Sequence, residues 1–153
     1  MKKIFSLTLL VMVALMTAAR DIVPEYDITG AGSGTEGTVL VKVFVYGKKV
    51  SDADLKRAAV HGVVFLGCSG NASGAQQPAI APATAEKDNA EFFAAFFAID
   101  GECQNYASIV SGSYETVKTK KGYKVGAIIQ VNKSNLRKSL EKAGIIRSLN
   151  AGF

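Results

Sequence analysis

The 153-residue chain holds one His, no Trp, three Pro and two Cys, and these shortages already remove several classes of protein. A single His and two distant Cys leave almost nothing from which to build a metal centre, and no cofactor is expected. Two Cys also exclude a disulfide-dense scaffold. No run reaches the roughly 18 uninterrupted apolar residues of a membrane span, so none is expected once the N-terminus has been processed. A charged fraction of 20% beside 48% apolar residues belongs neither to a disordered chain nor to collagen. What is present fits one compact domain with eight Phe and five Tyr as core material.

The N-terminus carries the sharpest local signal. Lys2 and Lys3 precede an apolar stretch over residues 4–15, relieved only by Ser6 and Thr8, and Thr17, Ala18 and Ala19 put small side chains where a signal peptidase cuts. Residues 1–19 therefore read as a signal peptide, and the mature protein is expected to be periplasmic or secreted. No Cys stands at the cut to carry a lipid. Residues 20–115 are net acidic, whereas 116–153 are strongly basic with Glu141 as their single acid. Within that basic third, Lys118, Lys120, Lys121 and Lys124 form the candidate surface for an envelope protein or an anionic surface. The plainer reading is solvated charge that balances the acidic half. Aromatic residues do not alternate with these lysines as a base-stacking platform requires, so no nucleic-acid partner is expected.

Residues 20–37 read as a flexible Gly-rich segment leading into the domain, with Gly30, Gly32, Gly34 and Gly37 opposing regular structure. The run Gly30-Ala31-Gly32-Ser33-Gly34 matches a nucleotide-binding loop only superficially, lacking the Lys-Ser/Thr of a phosphate loop. A domain over 38–153 begins with TVLVKVFVY, whose two largely apolar faces predict an interior strand. Ser51 and Asp54 then form a capping box, with Val50 and Leu55 spaced as a hydrophobic staple. The helix is expected to bury Leu55, Ala59, Gly62, Val63 and Leu66 and to stop at Gly67. A long loop follows. Thr84 is expected to cap a second helix that contains Phe92, Phe93, Phe96 and Phe97 and ends near Gly101; core packing is expected of these rings, a docking patch being the alternative. From about residue 107 the period is two, predicting a hairpin that turns at Lys121-Gly122, with a bulge at Gly112. Asn132 caps a last helix with Leu136, Leu140 and Ala143 inward, stopped by Gly144, and the apolar tail to Phe153 is expected to pack. The order β-α-(loop-α)-β-β-α predicts an α+β fold: a three-stranded, mainly antiparallel sheet with helices on one face.

The strand at Gly37-Thr38-Val39-Leu40-Val41-Lys42-Val43, the helix over 52–63, and Tyr123-Lys124-Val125-Gly126-Ala127-Ile128-Ile129-Gln130-Val131 leading into Leu136 and Leu140 carry a family likeness. This strand-helix-hairpin-helix order resembles the N-terminal domain of the flagellar assembly protein T and related small envelope lipoproteins. The stretch 136–147 is similar to uncharacterised secreted proteins of Bacteroides-type bacteria. The likeness covers about residues 37–66 and 107–153 and implies an envelope-associated accessory or assembly module without known catalysis. The chain departs from it in lacking a lipid-bearing Cys and in carrying an insertion from Cys68 to Tyr106.

Export to an oxidising compartment, with one Cys after each of the first two helices, predicts a Cys68–Cys103 disulfide, which the chain-entropy model values at roughly 3 to 4 kcal/mol. The rival is a thiol activated by His61, which Gly67 separates from Cys68 by ending the helix. The pair Asp52 and Asp54 reads as first-turn charge favoured by the helix dipole. No catalytic, metal or cofactor residue is therefore expected, and the chain reads as a non-enzymatic binding or assembly module. The alternative is a small hydrolase acting on envelope polymers through Asp100 and Glu102, or through Cys68 with His61.

Overall fold

The computed structural model describes residues 23–70 and 76–149; the expected signal peptide and its cut after Ala19 lie outside them, as does Phe153. Strands β1 (Tyr26–Ser33) and β2 (Val39–Tyr46) are followed by helix α1 (Asp52–Phe65), two short helices, α2 (Thr84–Asp88) and α3 (Ala90–Phe96), and a 3-10 turn at Glu102–Tyr106. Strands β3 (Ala107–Ile109), β4 (Glu115–Thr119) and β5 (Gly122–Val131) and helix α4 (Lys133–Lys142) complete the order. The fold is α+β with an antiparallel sheet, but the sheet has five strands rather than three.

Both extra strands have a physical cause. The Gly-rich stretch expected to be flexible supplies β1, because pairing with β2 from Tyr26↔Val45 to Ser33↔Val39 satisfies backbone groups that local propensity leaves open, and a register shift between Gly30 and Gly32 absorbs the glycines. The expected first arm of the hairpin is broken in two. Gly112, with φ +74, makes a turn between β3 and β4, and Ser113 Oγ accepts from Ile128 N–H (3.0 Å) where a strand would have done so. β3 and β4 therefore both lie on one side of β5, while β2 lies on the other.

Alternation along β2 decides which side is core. Val39, Val41, Val43 and Val45 are buried with Ala127, Ile129 and Val131 of β5 beneath α1, while Leu40, Lys42, Phe44 and Tyr46 stay half-exposed on a face that no helix of the described residues covers. The expected interior position of β2 holds, but helices cover one of its two faces.

Helix α1 starts as its sequence dictates. Ser51 Oγ accepts from Asp54 N–H (3.2 Å) and Asp54 Oδ2 accepts from Ser51 N–H (3.0 Å), closing the capping box. Gly67, at φ +66, ends the helix and stands so close to Gln77 and Ala79 that a side chain would not fit. Leu55, Ala59, Gly62 and Val63 are buried as expected, but Leu66 lies past the last turn and is 63% exposed. Arg57 is buried instead, donating to Phe97 O (3.2 Å) and to Asp54 Oδ1 (2.8 Å), which ties α1 to the end of α3.

The single Phe-rich helix expected from Thr84 divides at Asn89, whose N–H and Nδ2 both donate to Ala85 O at 3.0 Å and whose backbone leaves the helical region. Ala83, not Thr84, occupies the cap position, and it makes no side-chain cap bond. Phe93, Phe96 and Phe97 are buried against Phe65 and Tyr106, with Phe92 partly buried; Ile99 is exposed. Asn132 caps α4 by accepting from Asn135 N–H (3.1 Å). The helix ends in a Schellman motif, with Gly144 N–H on Glu141 O and Ile145 N–H on Leu140 O, both at 3.0 Å. Leu136 and Leu140 are fully buried, Ala143 is exposed, and the tail packs through Ile145 and Ile146 while Leu149 does not.

Candidate functional site

The uncovered face of the sheet gathers charge and aromatic surface. Register places Asp27 of β1, Lys42, Phe44 and Tyr46 of β2, and Lys124 of β5 on this side. Phe44 lies opposite Gly126 and its ring covers that residue, so any side chain at 126 would collide with it. Lys124 Nζ sits 4.6 Å from the Phe44 centroid and 5.7 Å from that of Tyr46, and pairs with Asp27 Oδ2 at 3.2 Å. Lys42 Nζ lies 5.1 Å from the same Phe44 ring and pairs with Glu115 Oε2 at 2.6 Å. Tyr46 O–H donates to Asp27 Oδ2 (2.8 Å), and that bond, more than burial, raises the phenol above its ordinary pKa. Exposed ion pairs are worth about 0–1 kcal/mol each, so these charges define a pattern rather than hold the fold.

Of the four lysines expected to share a surface, Lys124 alone joins this face. Lys118 shares the opposite side with Tyr123, and Lys120 and Lys121 stand exposed at the β4–β5 turn. Side chains alternate across a strand, so a dense run of lysines is divided rather than gathered. Lys42, Phe44, Asp27 and Glu115 take the missing places. The even-numbered positions of β2 were visible in sequence; their acidic partners on β1 and β4 were not.

A second cluster surrounds the single His. Tyr26 O–H donates to His61 Nδ1 (2.6 Å), and His61 Nε2 meets Glu86 Oε1 at 3.2 Å; a neutral ring with its proton on Nε2 satisfies both contacts. Burial lowers the pKa of His61, against an opposing pull from Glu86. Burial and then the Glu86 charge push the Tyr26 phenol far up, so it stays protonated. The trio borders a groove of about 520 Å³ lined by Val23, Ala83, Phe93, Ala94 and Phe97. A phenol held protonated is a poor nucleophile, and the neutral His61 is already engaged on both nitrogens. The trio is a closed hydrogen-bond network that joins β1, α1 and α2.

Of the two pairs weighed for a hydrolase, Asp100 and Glu102 stand exposed, and His61 and Cys68 face different partners. Glu102 accepts from Tyr106 O–H (2.6 Å) on the surface, and Asp100 is exposed. His61 turns to Tyr26 and Glu86, whereas Cys68 is buried beside Gln77 and Lys133, its thiol raised by burial. Among the described residues no three His, Cys, Asp or Glu side chains gather to hold a metal ion.

The expected Cys68–Cys103 disulfide is absent: both thiols are free and buried. Cys103 lies by the start of α1, where its neighbour Gln104 donates to Ala53 O (3.1 Å), and Cys68 follows the other end. The 14 residues of α1 span about 20 Å, whereas a disulfide needs Cα atoms within about 7 Å. Burial raises the Cys103 thiol to about 11.

Comparison of the chain with protein-family models, curated proteins and solved structures gives no match.

Proposed function

We propose that this chain is an exported, non-enzymatic accessory or assembly module of the cell envelope, periplasmic or secreted, that holds a protein partner against the uncovered face of its sheet. One observation carries the reading. Among the described residues no helix lies on one whole sheet face, which presents Phe44 between Lys42 and Lys124 with Asp27 and Glu115 at the flanks. Aromatic surface set among charges of both signs favours recognition of a patterned protein surface over a uniformly anionic one. The basic and apolar N-terminal pattern of residues 1–19 supports export. Among the described residues no helix is long and apolar enough to cross a membrane.

The test is a pull-down from native envelope with the wild-type chain and with Phe44→Ala and Lys124→Glu, the variants first matched to wild type in thermal unfolding. A partner retained by wild type and lost by both variants is expected. A partner held equally by all three would place binding elsewhere, and an unprocessed N-terminus on native cytosolic protein would end the argument for export.

A further inference from the structure

The register arranges the charges of the uncovered face about a centre. Asp27 of β1 pairs with Phe44 of β2, Phe44 with Gly126 of β5, and Gly126 with Glu115 of β4, so one row across the strands begins and ends in a carboxylate. Lys42 stands on β2 two residues to one side of that row, and Lys124 on β5 two residues to the other. Strand spacings of about 4.8 Å and a rise of about 3.4 Å per residue put the two acids about 14 Å apart across the sheet and the two lysines about 14 Å apart along it. The two lines cross between Phe44 and Gly126, where the Phe44 ring lies.

Charges placed in this way are their own complement. A two-fold axis lying in the face and bisecting the two lines carries the acid line of one copy onto the lysine line of another, so that every acid stands over a lysine of the facing copy. The strands of the two sheets then cross at nearly right angles, one of the two ways in which sheets pack. On the axis Phe44 meets its own counterpart, with the half-buried Tyr46 and Ile128 on either side. The four charges about this centre sum to zero, so a uniformly charged polymer loses at one pair what it gains at the other. Both acids keep capacity for a second partner. The Asp27 and Glu115 side chains are 50% and 48% exposed, Lys124 and Tyr46 both meet Asp27 at Oδ2, and Lys42 meets Glu115 at Oε2. A carboxylate accepts at two oxygens, so each acid can serve one lysine of its own copy and one of the other.

We infer that two copies of this chain dock face to face through this surface, sheets crossed and Phe44 on the two-fold axis. This rests on the reading of the face as a binding surface and names the partner seated there as a second copy. The contact is isologous, so it closes at a dimer.

The experiment is sedimentation of the purified chain over a range of concentrations. Wild type is expected to pass from monomer to dimer. Lys42→Glu with Lys124→Glu makes the face acidic, and Asp27→Lys with Glu115→Lys makes it basic. Each double variant, first matched to wild type in thermal unfolding, is expected to lose at least tenfold in dimer affinity through like-charge contact, and an equimolar mixture of the two is expected to regain it as a heterodimer. If a reversed chain fails that match, Lys42→Gln with Lys124→Gln takes its place and is expected to weaken the dimer. Lys142→Glu, exposed on α4 and outside the face, is the control for charge alone and is expected to leave dimer affinity within about twofold. A wild type that stays monomeric at every concentration, a dimer indifferent to the changes on the face, or matched reversed chains that do not associate on mixing overturns the inference. A monomeric wild type whose envelope pull-down returns a different protein, lost with Phe44→Ala, overturns the second copy and leaves the face as a binding surface. A dimer rescued by mixing, beside an envelope partner that wild type, Phe44→Ala and Lys124→Glu all retain, does the reverse: the second copy holds the face and the envelope partner binds elsewhere.

Discussion

His61 shows how much chemistry one side chain can absorb without becoming reactive. Its two nitrogens meet partners 35 and 25 positions away in sequence, Tyr26 and Glu86, so no local pattern announces the network. The network has a pH signature. Burial lowers the folded-state pKa of His61 below its ordinary 6.5, so between those two values the unfolded chain binds more protons than the folded one. The stability that neutral His61 contributes is therefore present above pH 6.5 and is lost as pH falls through the folded value. With one His in the chain, no other side chain of ordinary pKa titrates in that window. Thermal unfolding followed from pH 7.5 to pH 5 is expected to show falling stability in wild type and a flatter profile in His61→Gln; equal slopes would mean that the ring is solvated. At lower pH a second loss follows from Asp54. Burial alone would raise its carboxyl, but the hydrogen bonds from Ser51 and Arg57 outweigh burial and hold it below 3.8.

Elements with endpoints written in adjacent residues were legible. The capping box at Ser51 and Asp54, the stop at Gly67, the cap at Asn132 and the stop at Gly144 are short-range hydrogen-bond patterns, and all four form where their spacing places them. Elements that depend on distant pairing were not legible. β1 exists because β2 satisfies its backbone; the Phe-rich helix, by contrast, divides for a local reason, Asn89 competing for the Ala85 carbonyl four residues earlier. The aromatic cluster itself is a matter of packing, with Phe96 stacked on Phe92 and Tyr106 and 3% exposed. Phe96→Ala is expected to cost about 3 to 5 kcal/mol in denaturant unfolding, the usual loss for a buried Phe. A variant within about 1 kcal/mol of wild type would show that the cluster tolerates a cavity and is not core.

At the scale of the molecule, α1 separates what sequence order had seemed to join. It lies across β2 and β5 and keeps Cys68 and Cys103 at its two ends, where burial raises both thiols and leaves little reactive thiolate. Native protein is expected to resist iodoacetamide at pH 7.5, while protein unfolded without reductant is expected to label at both Cys by mass; a mass two protons lower and unlabelled after unfolding would show a cystine. The α+β class, the caps and stops of α1 and α4 and the alternation of β2 and β5 were determined by sequence alone, since each depends on residues within a turn or along one strand. Strand count, the division of the lysines between two faces, the fate of the cysteines and the Tyr26–His61–Glu86 network were decided by tertiary structure. Each of these depends on which distant backbone or side chain arrives alongside, and hydrogen-bond pairing and burial settle that only once the sheet and α1 have packed.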